Sequence, residues 1–167
     1  MLLSGRCWDA VAGVMPNKKL TIANRTSEAG KVHEAVLPEL IAHGFGPDAQ
    51  FAVRLALDEA LANAICHGNQ QDPQTHVVVE YSIADDRVTI SVKDQGTGFS
   101  PSQVPDPTLD ENLGKLHGRG IMLMRAYMSD VLFNDRGNCV TLIKNRHCMR
   151  PLRLSGRYEP PRPLCPR

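Results

Sequence analysis

Three stretches of this 167-residue chain carry residue types that could do chemistry together. The first is Asp58-Glu59-Ala60-Leu61-Ala62-Asn63-Ala64-Ile65-Cys66-His67. On a helix, Leu57, Leu61 and Ile65 follow at four-residue steps and face the core. Glu59 and Asn63 share a second stripe, about 200° around the axis from the leucines. Their stripe neighbours Ala52, Ala56 and Cys66 are small, whereas a solvated face ordinarily carries long Lys and Glu chains. A carboxylate and an amide among small residues fit the wall of a groove. Alone, the pair is no more than common surface decoration.

The second stretch, Asp94-Gln95-Gly96-Thr97-Gly98-Phe99, follows directly on a strand-like run. Its glycines permit a tight turn and close approach to a flat or anionic ligand. No helix follows, only Pro101, Pro105 and Pro107, so this is not a dinucleotide fingerprint. A P-loop, G-x-x-x-x-G-K-[ST], is absent from the sequence. The third stretch, Gly114-Lys115-Leu116-His117-Gly118-Arg119-Gly120, opens a short helix. Amide N–H groups at a helix start attract anions, and Lys115 and Arg119 add positive charge. Six histidines show no metal-ligand spacing, so His67 and His117 read as structural or peripheral.

These stretches need elements to position them. Leu20 to Ala23 is a strand candidate. A helix capped by Thr26 or Ser27 runs to about His43, and Pro38 should kink or interrupt it. Pro47 opens a second helix that runs to about His67, with Gly68-Asn69 as its stop. His76 to Ile83 and Arg87 to Lys93 form a hairpin through Ala84-Asp85-Asp86. The long proline-punctuated segment up to His117 carries no period, and a loop of that length is usually functional. A helix over Gly120 to Met128 and a second hairpin, Asp130 to Phe133 with Cys139 to Lys144, complete the order β-α-α-β-β-α-β-β. That order implies an antiparallel or mixed sheet covered by helices.

Composition bounds the reading. With 42% apolar and 22% charged residues the chain is neither disordered nor collagen-like. No apolar run approaches the roughly 18 residues needed to span a membrane. A net charge of +1 argues against direct nucleic-acid binding held by phosphate neutralisation. Charge is uneven: Asn145 to Arg167 holds six Arg against one Glu, and five of the twelve prolines. The expected organisation is an N-terminal extension over 1–17, one domain over 18–146 and an Arg/Pro-rich extension over 147–167. Met15 is a candidate biological start. The five cysteines are scattered, with no C-x-x-C pair, and indicate neither a disulfide framework nor a zinc site. A cytoplasmic setting is the default expectation.

Glu-x-x-x-Asn on a helix, Asp-x-Gly-x-Gly-Phe after a strand, a long loop and Gly-x-Gly opening a helix together resemble the GHKL, or Bergerat-fold, ATP-binding domain. Glu59 to Asn63 matches its N box, Asp94 to Gly98 its first glycine box and Gly118 to Gly120 its second. Within that superfamily the chain resembles the small anti-sigma-factor serine kinases, through Asp58 to Ala64 with His67-Gly68, through Gly118 to Met124 and through the final strand, where Thr141 precedes Lys144. The resemblance implies an α+β fold, a two-layer α/β sandwich whose mixed, mostly antiparallel sheet is covered on one face by helices, with ATP and Mg²⁺ as cofactors. Asp94 would accept a hydrogen bond from the adenine amino group, with Gly96 and Gly98 leaving room for base and ribose. Asn63 would hold Mg²⁺, and Lys115, Gly118, Arg119 and Gly120 would receive the phosphates, with Thr141 also at the nucleotide. Glu59 would be the catalytic base, and the loop from Ser100 to His117 a lid. The partners implied are a sigma factor and its antagonist protein, phosphorylated on Ser, with the chain acting as a homodimer. The alternative is a nucleotide-switched interaction module with little or no phosphoryl transfer.

Overall fold

The structure, a computed structural model, describes Trp8, residues 16–98 and residues 119–147. The order of elements is that expected: β1 Lys18–Ala23, α1 Ala29–Ala42, α2 Pro47–Ala62, β2 His76–Ile83, β3 Arg87–Lys93, α3 Arg119–Tyr127, β4 Asp130–Phe133 and β5 Cys139–Asn145. A 3₁₀ turn, Thr26–Glu28, leads into α1, and a π-helical segment, Asn63–Gly68, extends α2. The five strands form one sheet in the order β1-β2-β3-β5-β4, and every neighbouring pair is antiparallel. The expected mixed sheet is thus fully antiparallel among the described residues.

Alternation along the strands assigns the two faces. Val77, Val79, Tyr81 and Ile83 of β2, Val88, Ile90 and Val92 of β3, and Val140 and Leu142 of β5 belong to one buried cluster. The cluster also holds Val32, Val36 and Leu40 of α1 and Ala56, Leu57 and Leu61 of α2. Each buried Leu or Val contributes about 1.5–3 kcal/mol relative to exposure, so this seam fixes how the helices sit on the sheet. Glu39 of α1 adds a polar pin. It accepts a hydrogen bond from the Tyr81 hydroxyl at 3.1 Å and pairs with Lys18 of β1. Burial, then the Glu39 carboxylate, push the Tyr81 phenol up to about 12.

Pro38 does not interrupt its helix. α1 continues through it to Ala42, because Val36 and Leu40 on either side are both fully buried. Core packing there outweighs the roughly 3 kcal/mol that an interior proline costs a helix. Ala64 and Ile65 likewise stay buried through the π-helical segment, where the Asn69 N–H reaches back five residues to the Ala64 carbonyl at 2.8 Å.

The opposite sheet face receives Trp8. It is buried together with Cys139, and its indole N–H donates to Ser91 Oγ at 3.0 Å. One residue of the expected N-terminal extension therefore packs on the domain itself. Cys139 is disulfide-bonded. The scattered spacing gave no sign of that bond, because separation along a chain does not reveal which thiols meet in space. Cys66 is free. Among the described residues no helix is long and apolar enough to cross a membrane.

Candidate functional site

Two clusters form at opposite ends of the π-helical segment. At its start, Glu59 and Asn63 are half-buried, and α3 packs against α2. Ala52 and Ala56 are buried on the same stripe, which lets the two helices approach closely. The second residue of α3, Gly120, lies directly against the N-box side chains. A Cβ built on Gly120 would stand 2.5 Å from Glu59 Oε2 and 3.5 Å from Asn63 Nδ2. No side chain other than hydrogen fits there unless Glu59 moves. The residues expected to act on phosphate and on the attacking hydroxyl are thus brought together: Glu59, Asn63 and Gly120.

At the far end, Gly68 lies beneath the carboxylate of Asp94. A Cβ on Gly68 would stand 2.5 Å from Oδ2 and 2.7 Å from Oδ1. The Gly96 N–H donates to Oδ1 at 2.8 Å. The carboxylate is therefore held by one oxygen, with its plane against a bare Cα. Burial raises the Asp94 carboxyl above its ordinary value of 3.8, opposed by the backbone N–H groups of Gly96 and Asp94 and by the positive charges of Arg136 and Lys93. A buried carboxylate kept beside N–H donors and cations is suited to accept a hydrogen bond from a ligand amino group.

The backbone around Asp94 is clamped from both sides. The Asp94 N–H donates to the Asn138 carbonyl at 3.0 Å, and Asn138 Nδ2 donates to the Asp94 carbonyl at 3.3 Å. Asn138 is itself oriented by Asn134 Nδ2 at 2.9 Å. On the other flank the Gln95 N–H donates to Asn69 Oδ1 at 2.8 Å. Gly98 follows with φ +82°, packed on the Arg136–Asn138 turn of the β4–β5 hairpin.

Thr141 does not join these clusters. It pairs with Ser91 of β3 and Leu132 of β4, and Ser91 bonds Trp8 on the face away from the helices. Strand parity is the reason: Val140 and Leu142 on either side face the helical layer. The β4–β5 residue that does reach the first glycine box is Asn138, which sequence reasoning missed. Its signal was only a polar residue after the Gly137 turn. Lys144 faces the helices and donates to the Tyr127 carbonyl at 2.8 Å, at the end of α3. Arg119 opens α3 and is exposed. Lys115, Gly118, Phe99 and the expected lid from Ser100 to His117 lie outside the described residues, as does the Arg/Pro-rich segment beyond His147.

Among the described residues no group of three or more His, Cys, Asp or Glu side chains could hold a metal by itself. A neutral amide oxygen at Asn63 is the kind of donor a hard cation takes as one partner among waters and phosphate oxygens. Its place beside Gly120 and Glu59 fits Mg²⁺ carried in with a nucleotide.

Comparison with known proteins identifies the family. The profile of the histidine kinase-like ATPase domain matches residues 22–144. The chain is 29% identical over 111 residues to the serine-protein kinase RsbW of Listeria innocua, an alignment covering 60% of this chain and 69% of that protein. It is 30% identical over 102 residues to an anti-sigma F factor of Clostridium perfringens, covering 56% and 69%. In structure it is similar to the RsbU and RsbW domains of a Mycobacterium tuberculosis protein, with a TM-score of 0.51 and 22% identity. That match covers 84% of this chain and 35% of the solved one, and it shows the shared fold. With that profile matched over most of its length, the chain belongs to the histidine kinase-like ATPase domain family, and its relatives include serine-protein kinases and anti-sigma factors.

Proposed function

We propose that this protein is an ATP-dependent serine kinase and anti-sigma factor that binds a sigma factor and phosphorylates an antagonist protein on Ser. The observation that carries the proposal is the contact of the Glu59 carboxylate with Gly120 at the start of α3, beside Asn63. A nucleotide pocket used purely as a switch has no need of a carboxylate at that point.

In this mechanism Asp94 accepts a hydrogen bond from the adenine 6-amino group and discriminates against guanine, which offers a carbonyl there. Gly96 and Gly98 leave the base and ribose room, while Lys115, Gly118, Arg119 and Gly120 receive the β- and γ-phosphates. Asn63 would be the protein donor that holds Mg²⁺, which when bound would neutralise phosphate charge. Glu59 orients the serine hydroxyl and takes its proton as the new Oγ–phosphorus bond forms. The bond to the β–γ bridging oxygen breaks and ADP leaves with that electron pair. The proton then passes from Glu59 to solvent.

The domain doing this spans residues 18–146 and works as a homodimer. The nucleotide-loaded form holds the sigma factor, so ATP should tighten that complex more than ADP does. Incubating the protein with γ-labelled ATP and a candidate antagonist tests the proposal. Label on an antagonist serine is the expected outcome. Nucleotide-dependent capture of the sigma factor with no transfer to any antagonist would instead favour a switch without chemistry.

A further inference from the structure

Gly68 closes the π-helical segment and Asn69 follows as its C-cap. Gly68 has no backbone need to be glycine. It lies within a helical segment and is not among the residues with positive φ. Helix propensity would favour alanine there by about 1 kcal/mol. What excludes a side chain is Asp94: a Cβ would stand 2.5 Å from Oδ2 and 2.7 Å from Oδ1. The bare Cα of Gly68 is the floor on which the carboxylate rests.

Asn69 supplies the second restraint. It is 4% exposed, and every polar atom of its side chain has a partner. Nδ2 donates to Asn24 Oδ1 at 3.2 Å and to the His76 carbonyl at 3.0 Å. Oδ1 accepts from the Gln95 N–H at 2.8 Å. Asn24 in turn donates to the Asp72 carbonyl at 3.0 Å, and Gln95 Oε1 accepts from the His76 N–H at 2.8 Å. A fully satisfied buried amide of this kind rigidifies what it joins. Here it joins the end of the N-box helix and the start of β2 to the residue after Asp94. One oxygen of Asp94 is fixed by the Gly96 N–H, the plane by Gly68 and the backbone by Asn69. The direction of Oδ2 follows from these three.

We propose that Gly68 and Asn69 are positioning residues that set the pose of the Asp94 carboxylate and thereby the preference for adenine over guanine nucleotides. This rests on the nucleotide reading of the site given above. Neither residue contacts the nucleotide in this account. Both act through Asp94, and that predicts a particular non-additivity.

The test is a double-mutant cycle read as the ratio of ATP to GTP affinity by calorimetry, with Mg²⁺ present. Gly68→Ala should lower ATP affinity about tenfold or more, the worth of one charge-assisted hydrogen bond, and leave GTP within about twofold. Asp94→Asn should lose the preference by itself, and adding Gly68→Ala to it should cause no further loss of ATP affinity. An undiminished ATP-to-GTP ratio in Gly68→Ala overturns the proposal. So does a loss that adds in full to that of Asp94→Asn, since Gly68 would then act elsewhere. If Gly68→Ala does not fold, Asn69→Asp carries the test: it keeps an acceptor for Gln95 but loses both donors. The ratio should again collapse, and a retained ratio overturns the proposal. A wild-type protein that binds both nucleotides alike, or neither, fells the nucleotide reading itself and the inference with it.

Discussion

Replacing Gly120 by alanine should separate stability from catalysis and move them in opposite directions. The new Cβ would start 2.5 Å from Glu59 Oε2, against an ordinary contact of 3.4 Å or more. The carboxylate must therefore move by about 1 Å, and being half-buried at the end of a flexible side chain it can do so. A misplacement of that size in a reacting group is worth about 10²-fold in rate. Stability should not suffer, because Gly120 is helical and alanine is favoured over glycine by up to about 1 kcal/mol. For a chain of this size that corresponds to a rise of about 2–4 °C in the unfolding midpoint. The assay is single-turnover transfer from labelled ATP at saturating nucleotide, alongside thermal unfolding without nucleotide. In a Glu59→Gln background the same substitution should cost little more, since the base is already gone. Transfer at the wild-type rate in Gly120→Ala, with the fold intact, would refute the placement of Glu59 at the reacting centre. A fully additive loss in the double variant would show that Gly120 acts by some route other than Glu59.

Further expectations concern the groups around this centre. Because burial raises the folded-state carboxyl of Asp94 above its ordinary value of 3.8, its ionisation destabilises the fold. That loss is absent below the ordinary value and grows as pH rises through the window up to the raised one. Asp94→Asn should thus be more stable than wild type at neutral pH, with the gap in urea midpoint closing on acidification. A gap that is independent of pH contradicts this. Lys144→Met removes the ammonium from the Tyr127 carbonyl at the end of α3 and should destabilise by about 1.5–3 kcal/mol, read from denaturant midpoints. Trp8→Phe keeps most of the packing but loses the bond to Ser91, which should cost about 0.5–1.5 kcal/mol. As the single Trp of the sequence, Trp8 should also report unfolding by a red shift of its emission, and emission already characteristic of water in the native state would contradict its burial.

Much of this architecture was legible from residue spacing, for identifiable physical reasons. Leu57, Leu61 and Ile65 repeat at helical steps and are all buried, so the opposite stripe with Glu59 and Asn63 had to face something else. Gly68-Asn69 marked the end of that helix because glycine and asparagine suit helix C-termini. What spacing could not provide was anything set by tertiary register. Thr141 was expected at the nucleotide, but whether it or its neighbours face the helices depends on the pairing of β5 with β3, and a one-residue difference reverses the face. Asn69 and Asn138 flank Asp94 by bonds spanning 26 and 44 residues, distances over which a sequence pattern carries no trace. Pro38 does not end α1, because local propensity carries no information on the burial of Val36 and Leu40 on either side. The π-helical turn at Asn63 has no sequence signature of its own, though such turns recur at functional sites.

The central claim is that Glu59 takes the proton in a phosphoryl transfer whose nucleotide is bound independently of it. Glu59→Gln keeps the size and hydrogen bonding of the side chain and removes the base. Measured on the same preparation, ATP affinity should remain within about threefold of wild type, while transfer to the antagonist serine falls by about 10²-fold or more. Transfer that continues at the wild-type rate in Glu59→Gln would contradict the account.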